Sequence, residues 1–291
     1  MIIYSYNQAK SFFAVMQEIL EENETANCLM LGALQAYVDN PNADQSTLYL
    51  RTAHDLHGLI AAAVRTWPHG LLLYHDQKNY QDAYGMFATD LYNNAHNPPG
   101  VFAPREDAQQ FARTWSVLSG MKTEIEVRER LYECSDVRNA AQTSGQLREP
   151  THDELPMMVE WAQAMQTECS VPNADPNVQQ RIEKSMQSHS LFVWADAGQV
   201  VSMAMKTRPI RHTVSISGVY TPPALRRKGY ASALVSALTQ RLLEAGYRSC
   251  NLFADLSNPT SNAMYQRIGY IPVIDYDYYR FTRRPLEDTR I

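Results

Sequence analysis

The spacing of apolar and polar residues predicts that helices and strands alternate along the whole chain. Segments with apolar residues every three or four positions are predicted to be helices, and segments with apolar residues at every second position are predicted to be strands. In the N-terminal half, the predicted helices span residues 7–23, 26–38, 80–93 and 105–119, and the predicted strands span residues 48–52, 58–66, 69–74 and 121–133. In the C-terminal half, helices are predicted at residues 153–168 and 176–188, after Ala231 and after Asn258, and strands at residues 191–195, 199–207, 211–220, 247–253, 270–273 and 276–281.

The two halves share the order of these elements: two helices, three strands, a helix, and then further strands around one more helix. A repeated order without visible residue identity indicates a duplicated architecture. At 291 residues, the chain is long enough for two domains that each bury a core. The expected fold class is α/β (α+β), with two mixed sheets in tandem, each flanked by helices.

A basic loop joins a predicted strand to a predicted helix in the C-terminal half. The strand ends at Tyr220, the following Pro222-Pro223 cannot hold regular structure, and Arg226-Arg227-Lys228-Gly229 leads directly into the helix. The first turn of a helix has backbone N–H groups without intrahelical partners, and Gly229 leaves room for a ligand to approach them closely. The helix dipole and the three cations favour a doubly charged anion such as a pyrophosphate. This loop alone leaves open the alternative of an ordinary, solvated basic turn.

A second motif follows one strand later. Asn258-Pro259 is predicted to start a helix, with Asn258 as the N-cap and Pro259 at the first helical position. The helix continues through Met264 and Tyr265 for about three turns and is predicted to end at Gly269.

Together the two motifs resemble those of the GNAT-type N-acetyltransferases. The first is Arg226-x-x-Gly229-x-Ala231, and the second is Asn258-x-x-Ser261-x-x-Met264-Tyr265-x-x-x-Gly269-Tyr270. The resemblance covers about residues 147–281. Ser261 and Met264 stand where Ala and Leu are commoner in the family, a difference that affects packing more than chemistry.

The resemblance implies acetyl-coenzyme A (acetyl-CoA) as the cosubstrate. In the family, the first motif wraps the pyrophosphate, the preceding strand separates from its neighbour to admit the pantetheine arm, and the Tyr of the second motif lies near the thioester sulfur. The residues expected to bind acetyl-CoA here are Val219, Tyr220, Thr221, Arg226, Arg227, Lys228, Gly229, Tyr230, Ala231, Ser232 and Asn258. Val219 and Thr221 would offer backbone groups to the pantetheine amides, and Tyr230 is expected to cover the loop.

Tyr265 is the candidate general acid, because a phenol near the sulfur could protonate the departing thiolate. The alternative is a helix tyrosine that only packs the core. No residue stands out as the general base, and an ordered water is a further candidate. The side chains considered for this role are Glu168, Asp196, His212 and Asp255.

The N-terminal half resembles, more loosely, the degenerate first half of two-part GNAT proteins. The similarity rests on Pro99-Gly100-Val101-x-x-Pro104, Phe111-x-x-x-Trp115 and Arg130-Leu131-Tyr132. The turn from His75 to Tyr80 has no Gly and carries Asp76, which makes it a poor phosphate site. We therefore expect residues 1–138 to form a degenerate GNAT-like domain without a cofactor of its own, which shapes the acceptor site or mediates dimerisation. Residues 139–145 are the expected linker, and residues 146–291 the catalytic domain.

Composition narrows the function classes. The net charge of −5 argues against a nucleic-acid partner, and the absence of an apolar stretch of membrane-spanning length predicts no membrane association and a cytoplasmic location. The cysteines show neither zinc spacing nor a disulfide framework, so no metal is expected. They are Cys28, Cys134, Cys169 and Cys250.

These observations lead to one expected function and one alternative. The expected function is transfer of acetyl from acetyl-CoA to a primary amine of a small molecule or peptide by direct attack. The alternative is a non-catalytic module that binds or senses acyl-CoA. Tyr265 favours the enzyme, because a pure binding protein has no need of an acid at the sulfur. A homodimer remains an open alternative to a monomer.

Overall fold

The computed structural model describes residues 1–40, 42–76, 80–138, 143–169 and 175–283. Its strands are β1 (Ile2–Tyr6), β2 (Tyr49–His54), β3 (Leu59–Arg65), β4 (Leu72–His75), β5 (Gly100–Pro104), β6 (Lys122–Cys134), β7 (Gln146–Arg148), β8 (Leu191–Asp196), β9 (Gln199–Thr207), β10 (Thr213–Tyr220), β11 (Ser249–Asp255) and β12 (Ile271–Thr282). Its α-helices are α1 (Ala9–Glu21), α2 (Cys28–Val38), α3 (Gln81–Asn93), α4 (Arg105–Ser119), α5 (Leu155–Glu168), α6 (Val178–Gln187), α7 (Tyr230–Glu244) and α8 (Pro259–Ile268). Most of the predicted linker, residues 139–142, lies outside the described residues.

The chain forms two compact units whose sequences are interleaved. The N-terminal unit contains residues 1–23, residues 29–129 and the chain from Asp275 onward, and the C-terminal unit contains Glu24–Cys28 and Arg130–Ile274. Strand β6 therefore begins in the N-terminal unit and ends in the C-terminal unit, and β12 does the reverse. The division into residues 1–138 and 146–291 stays a prediction.

The N-terminal unit is built on strands β1 to β5. Strands β1 to β4 form an antiparallel sheet, Leu71 just before β4 makes a parallel bridge to Val101 of β5, and β5 pairs with the Tyr276–Arg280 part of β12. Helices α3 and α4 supply several of the buried rings of its core, among them Tyr84, Phe87, Phe111 and Trp115. Strand β1 was not predicted. Ile2 and Tyr4 lie on one side of it and are 59% and 49% exposed, so its apolar residues do not mark a buried face.

The C-terminal unit contains the sheet order β6-β11-β10-β9-β8-β7, with β6 represented by residues 130–134. On one face, α7 and α8 bury apolar residues such as Leu234, Leu238 and Ile268 against the sheet. On the other face, α5 and α6 pack Met158, Trp161 and Ile182 against β8, β9 and the end of β10. Parallel pairing between β10 and β11 is accompanied by antiparallel pairing of β10 with β9.

Strands β10 and β11 separate within the sheet. Their register covers Thr213–Ser215 and Ser249–Asn251, although both strands continue towards the basic loop and the start of α8. A bulge shifts the register of β10 against β9 after Ser217, and Gly218 at this point has φ +62°. A Cβ atom at Gly218 would lie 2.3 Å from the Met205 Cε atom, the mobile end of a flexible side chain, so the left-handed backbone favours glycine here more than the space does. The separation that the GNAT resemblance implied is therefore present.

The end of β6 should be essential to the C-terminal unit. Tyr132 is fully buried in its core, and the Tyr132 hydroxyl donates to Asn262 Oδ1 at 2.8 Å. We expect a fragment that begins at Gln146 to lack cooperative thermal unfolding, because it has lost the Tyr132 and Cys134 side chains from this core. Circular dichroism of the fragment and of the full chain would check this.

Two full-length variants measure how much the Tyr132 side chain contributes to the free energy of unfolding. Tyr132→Ala should lower the free energy of unfolding by about 3–5 kcal/mol, the usual cost of deleting a buried ring. Tyr132→Phe retains the ring and should cost about 1 kcal/mol for the lost hydrogen bond. A fragment from Gln146 that unfolds cooperatively near the temperature of the full chain would contradict the prediction.

Candidate functional site

The basic loop presents backbone N–H groups at the start of α7. Arg227 and Gly229 both have left-handed backbone conformations, with φ +65° and +85°, and Gly229 is the N-cap residue. No side chain caps this helix, and its first hydrogen bond runs from the Ala233 N–H to the Gly229 carbonyl oxygen at 2.9 Å. The N–H groups of the preceding turn are thus left for an external acceptor. A Cβ atom at Gly229 would find no heavy atom within 4 Å, so the approach to these groups is open.

Eleven residues are expected from the sequence to bind acetyl-CoA. Ten of them lie together in one segment of the structure. They run from the end of β10 through the loop into the first turn of α7: Val219, Tyr220, Thr221, Arg226, Arg227, Lys228, Gly229, Tyr230, Ala231 and Ser232. The side chains of Arg227 and Lys228 are exposed. The eleventh, Asn258, lies at the start of α8, after the end of β11.

Arg226 is tied to its own unit by three contacts. Its Nε donates to the Thr221 carbonyl oxygen at 2.8 Å, and its Nη2 forms an ion pair with Glu168 Oε2 at 2.5 Å. Its guanidinium also lies 5.7 Å from the centroid of the Tyr220 ring. Arg226 therefore joins the loop to the end of α5, an arrangement that no local sequence pattern indicates, because Glu168 is distant in the chain.

Glu168 accepts a second hydrogen bond, from the Tyr220 hydroxyl to Oε1 at 2.9 Å. The hydrogen bond from Arg226, followed by that from Tyr220, lowers the pKa of Glu168 despite some desolvation. A carboxylate with a lowered pKa is ionised at neutral pH but accepts a proton less readily. In this arrangement Glu168 is a weak base.

The other candidate bases are engaged elsewhere. Asp196 accepts from the Tyr230 hydroxyl at 2.8 Å, and this bond is the main cause of its lowered pKa. His212 Nδ1 lies 2.6 Å from Glu24 Oε1, at the end of β10 opposite the loop. Asp255 accepts from the Ser257 N–H at 2.7 Å in the turn before α8. The contacts of these residues single out none of them as the base.

Tyr265 lies on α8 and is 7% exposed. Its ring packs 6.4 Å from that of Tyr132 and 6.0 Å from that of Tyr270, measured between centroids. Burial raises the pKa of Tyr265 well above its usual value, with a further contribution from Cys169 at the end of α5. The phenol therefore stays protonated at neutral pH, as a general acid must, and it also packs the core.

Asn258 caps α8 as the sequence predicts. Its Oδ1 accepts from the Ser261 N–H at 3.0 Å, and Pro259 follows at the first helical position. Asn262, one turn later, donates from Nδ2 to the Asp255 carbonyl oxygen at 2.7 Å. These bonds fix the turn between β11 and α8 next to the open end of the two separated strands.

The corresponding turn of the N-terminal unit is built differently. Residues 77–79 of this turn lie outside the described residues. The His75 ring stacks on Tyr80 with centroids 3.8 Å apart, and His75 Nε2 lies 3.5 Å from Asp107 Oδ1. Asp107 is 3% exposed, and burial is the main cause of its raised pKa. The described ends of this turn thus carry stacked rings beside a buried carboxyl group.

The described residues were also considered as possible metal ligands and as possible membrane-spanning helices. No group of three or more His, Cys, Asp or Glu side chains in the described ranges is arranged to hold a metal ion. Among the same residues, none of the helices combines the length and apolar character needed to cross a bilayer.

Comparison with known proteins identifies the family that the C-terminal unit resembles. Residues 155–270 match the model described as Acetyltransferase (GNAT) family, which confirms the predicted resemblance of the C-terminal half. No curated protein matches the sequence.

Solved structures match both halves of the chain. A GNAT-family acetyltransferase from Colwellia psychrerythraea has a TM-score of 0.62 at 11% identity and covers 98% of this chain and 100% of its own. A GCN5-related N-acetyltransferase from Sphaerobacter thermophilus has a TM-score of 0.65 at 14% identity, with coverages of 98% and 96%. A tandem GNAT protein from the clavulanic acid biosynthesis pathway has a TM-score of 0.53 at 11% identity, with coverages of 97% and 98%. These identities show the fold alone, and they confirm the expected tandem fold class.

The Glu168–Arg226 pair predicts how the loop responds to an anion. Glu168→Gln removes a negative charge beside the loop, so inorganic pyrophosphate should bind about 2–5-fold more tightly at low ionic strength, the range expected for an exposed pair. Added salt should reduce the gain through screening. Calorimetric titration with pyrophosphate checks this.

Glu160→Gln, an exposed change of equal charge earlier on α5, is the control. Weaker binding by Glu168→Gln would instead show that Glu168 holds Arg226 in place for the anion.

Proposed function

We propose that this protein is an N-acetyltransferase that moves acetyl from acetyl-CoA to a primary amine of a small molecule or peptide by direct attack. The observation that carries the proposal is the uncapped start of α7 behind Gly229, placed where β10 has separated from β11. A pyrophosphate at the helix start and an extended arm between the strands require this combination. The match of residues 155–270 to the GNAT family model supports the same reaction.

The residues at the loop fit the cosubstrate. Backbone N–H groups of the first turn of α7 would hold the pyrophosphate, assisted by the exposed cations Arg227 and Lys228. Beyond its register with β11, β10 offers backbone groups near Val219 and Thr221 to the amides of the pantetheine arm. Arg226 would bind the pyrophosphate with the donors that Thr221 and Glu168 leave available.

In the proposed reaction, the amine nitrogen attacks the thioester carbonyl carbon, so that a C–N bond forms and the C–S bond breaks. The Tyr265 hydroxyl protonates the departing sulfur, a role for which it is protonated at neutral pH although burial makes it a weaker acid than an exposed phenol. The proton lost from the amine goes to a base that we leave unassigned, because the contacts of Glu168, Asp196, His212 and Asp255 favour none of them.

The alternative function is that of a non-catalytic acyl-CoA binding or sensing module. The anion site at α7 serves both functions equally, so it does not distinguish them. Tyr265 favours the enzyme, since a binding module needs no proton donor at the end of the arm. The distinguishing measurement is acceptor-dependent release of thiol from acetyl-CoA, with a panel of primary amines.

As part of the same proposal, the N-terminal unit binds no cofactor of its own. His75 and Tyr80 flank the turn after β4, and the buried Asp107 carboxyl beside His75 would disfavour a phosphate there. The role of residues 1–138 in shaping the acceptor site or in dimerisation stays a prediction.

Gly229→Asp is expected to abolish tight binding of coenzyme A. A carboxylate about 4 Å from a phosphate is repelled by about 4 kcal/mol at an effective dielectric constant of about 20. Calorimetry on the full chain should show one site for the natural sequence and a loss of at least about 100-fold in affinity for this variant.

Gly229→Ala is the matched control, because it imposes the same left-handed backbone on a residue with a Cβ atom but adds no charge. It should bind coenzyme A far better than Gly229→Asp. Two equivalent sites per chain, or equal affinities for the two variants, would contradict the proposed location of the cofactor.

Tyr265→Phe is expected to lower turnover by about 10²–10⁴-fold, the usual contribution of general acid catalysis. The ring and its packing against Tyr132 and Tyr270 are retained, so the affinity for acetyl-CoA should change little. Thiol release would be measured with the amine that reacts fastest with the natural protein. Unaltered turnover, with chemistry shown to limit the rate, would assign Tyr265 to packing.

A further inference from the structure

A polar cavity lies between α6 and the end of β9, within the C-terminal unit. Its volume of about 540 Å³ is in the range of small-molecule sites. Among the side chains that line it, four are cationic and one is anionic: Arg181, Lys184, Lys206, Arg208 and Asp175. The whole chain has a net charge of −5, so this local excess of cations runs against its composition. A concave site with such a charge favours a multiply charged anion.

The two arginines of the cavity are held in place by contacts that use only part of each guanidinium group. Arg208 Nε donates to Oγ of the fully buried Ser215 at 3.1 Å, and its Nη nitrogens have no acceptor among the described residues. Arg181 Nε pairs with Asp175 Oδ2 at 3.0 Å, while its Nη1 makes only a long contact of 3.7 Å to the Met205 sulfur. Both arginines are partly buried, so their remaining N–H groups are positioned before a ligand binds.

The two lysines of the cavity have no charge partner. Lys184 follows Arg181 by three residues on α6, and Lys206 lies near the end of β9. Neither ammonium group makes an ion pair or a hydrogen bond with any residue that the structure describes. Cations that line one small volume repel one another, and an anion between them would relieve this repulsion. An ordinary solvated helix face would carry its cations on one element, whereas these come from a helix and a strand.

The cavity is separate from the basic loop. Thr207, which lines the cavity, pairs with Ser215 near the start of β10, whereas the loop follows Tyr220 at the end of the same strand. At the rise of an extended strand, the five residues between these points correspond to roughly 15 Å. An anion in the cavity is therefore a different ligand group from the pyrophosphate proposed at the start of α7.

We propose that this cavity binds the phosphate group of a small phosphate monoester. Arg181 and Arg208 present planar sets of N–H donors that match the oxygens of a phosphate, and Lys184 and Lys206 add two charges to balance the dianion. A phosphate group alone does not fill the cavity, so space remains for the organic part of the molecule. The proposed site does not depend on acetyl transfer and adds a second anionic ligand to the C-terminal unit.

The test uses glycerol 3-phosphate as the probe and glycerol as its uncharged counterpart. Both are titrated by calorimetry into the full chain at low ionic strength. We expect glycerol 3-phosphate to bind saturably and glycerol not to bind. The double variant Lys184→Gln/Lys206→Gln removes two charges from the cavity and should weaken binding by about 5–30-fold, the range expected for two exposed ion pairs. Added salt should reduce this difference through screening.

Three further variants assign the binding to the cavity. Lys184→Gln alone changes one exposed helix residue, so it replaces the double variant if that does not fold, and it should weaken binding by about 2–5-fold. Lys10→Gln is the matched control, because it removes the same charge from an exposed lysine of α1 that does not line the cavity, and it should leave the affinity unchanged. Gly229→Asp places a negative charge at the basic loop and should also retain the binding of glycerol 3-phosphate.

Binding that is lost in Gly229→Asp but kept in the double lysine variant would place the phosphate at the basic loop and overturn the proposal. Vesicles that contain phosphatidic acid carry the same monoester on a lipid and form a second arm of the test. Lysine-dependent sedimentation with these vesicles, without binding of glycerol 3-phosphate, would make the ligand a lipid headgroup and overturn the assignment to a small molecule. Failure to bind either probe refutes the site. None of these measurements uses acetyl-CoA, so their outcome is independent of the proposed acetyl transfer.

Discussion

The separation of β10 from β11 is the constraint on which the rest of the C-terminal site depends. A bulge in β10 accompanies it, and Gly218 at this bulge has a left-handed backbone, which glycine adopts without strain. Because β10 leaves β11 at this level, its backbone groups near Val219 become available to a ligand, and the basic loop that follows brings the start of α7 to the open end.

Part of the charge around the loop is paired before any ligand arrives. Glu168 pairs with Arg226, and Asp196 accepts from Tyr230 at the start of α7. The Arg226 and Glu168 side chains are 43% and 39% exposed, and exposed pairs of this kind contribute little to stability. A multiply charged anion can therefore compete for Arg226 at small cost. The backbone N–H groups have no such competing partner in the loop geometry, which makes them the constant part of the site.

Short sequence patterns predicted those features of the structure that are decided by residues close together in the chain. The helix start at Asn258-Pro259 and the glycine at the start of α7 were predicted because capping and backbone conformation are decided within a few residues. The pairing of Glu168 with Arg226 joins two distant segments, so no spacing signals it.

The two units are not the two halves of the sequence, because the N-terminal unit completes its core with a strand segment from far along the chain. The core of the N-terminal unit contains Tyr279 and Phe281 from the end of the sequence, and the core of the C-terminal unit contains Tyr132 and Cys134 from β6. Because β6 and β12 each continue from one unit into the other, neither unit is a single continuous stretch of the chain. A spacing pattern read along the sequence describes neighbours in the chain, so it could predict these strands but not the unit to which each part of them belongs.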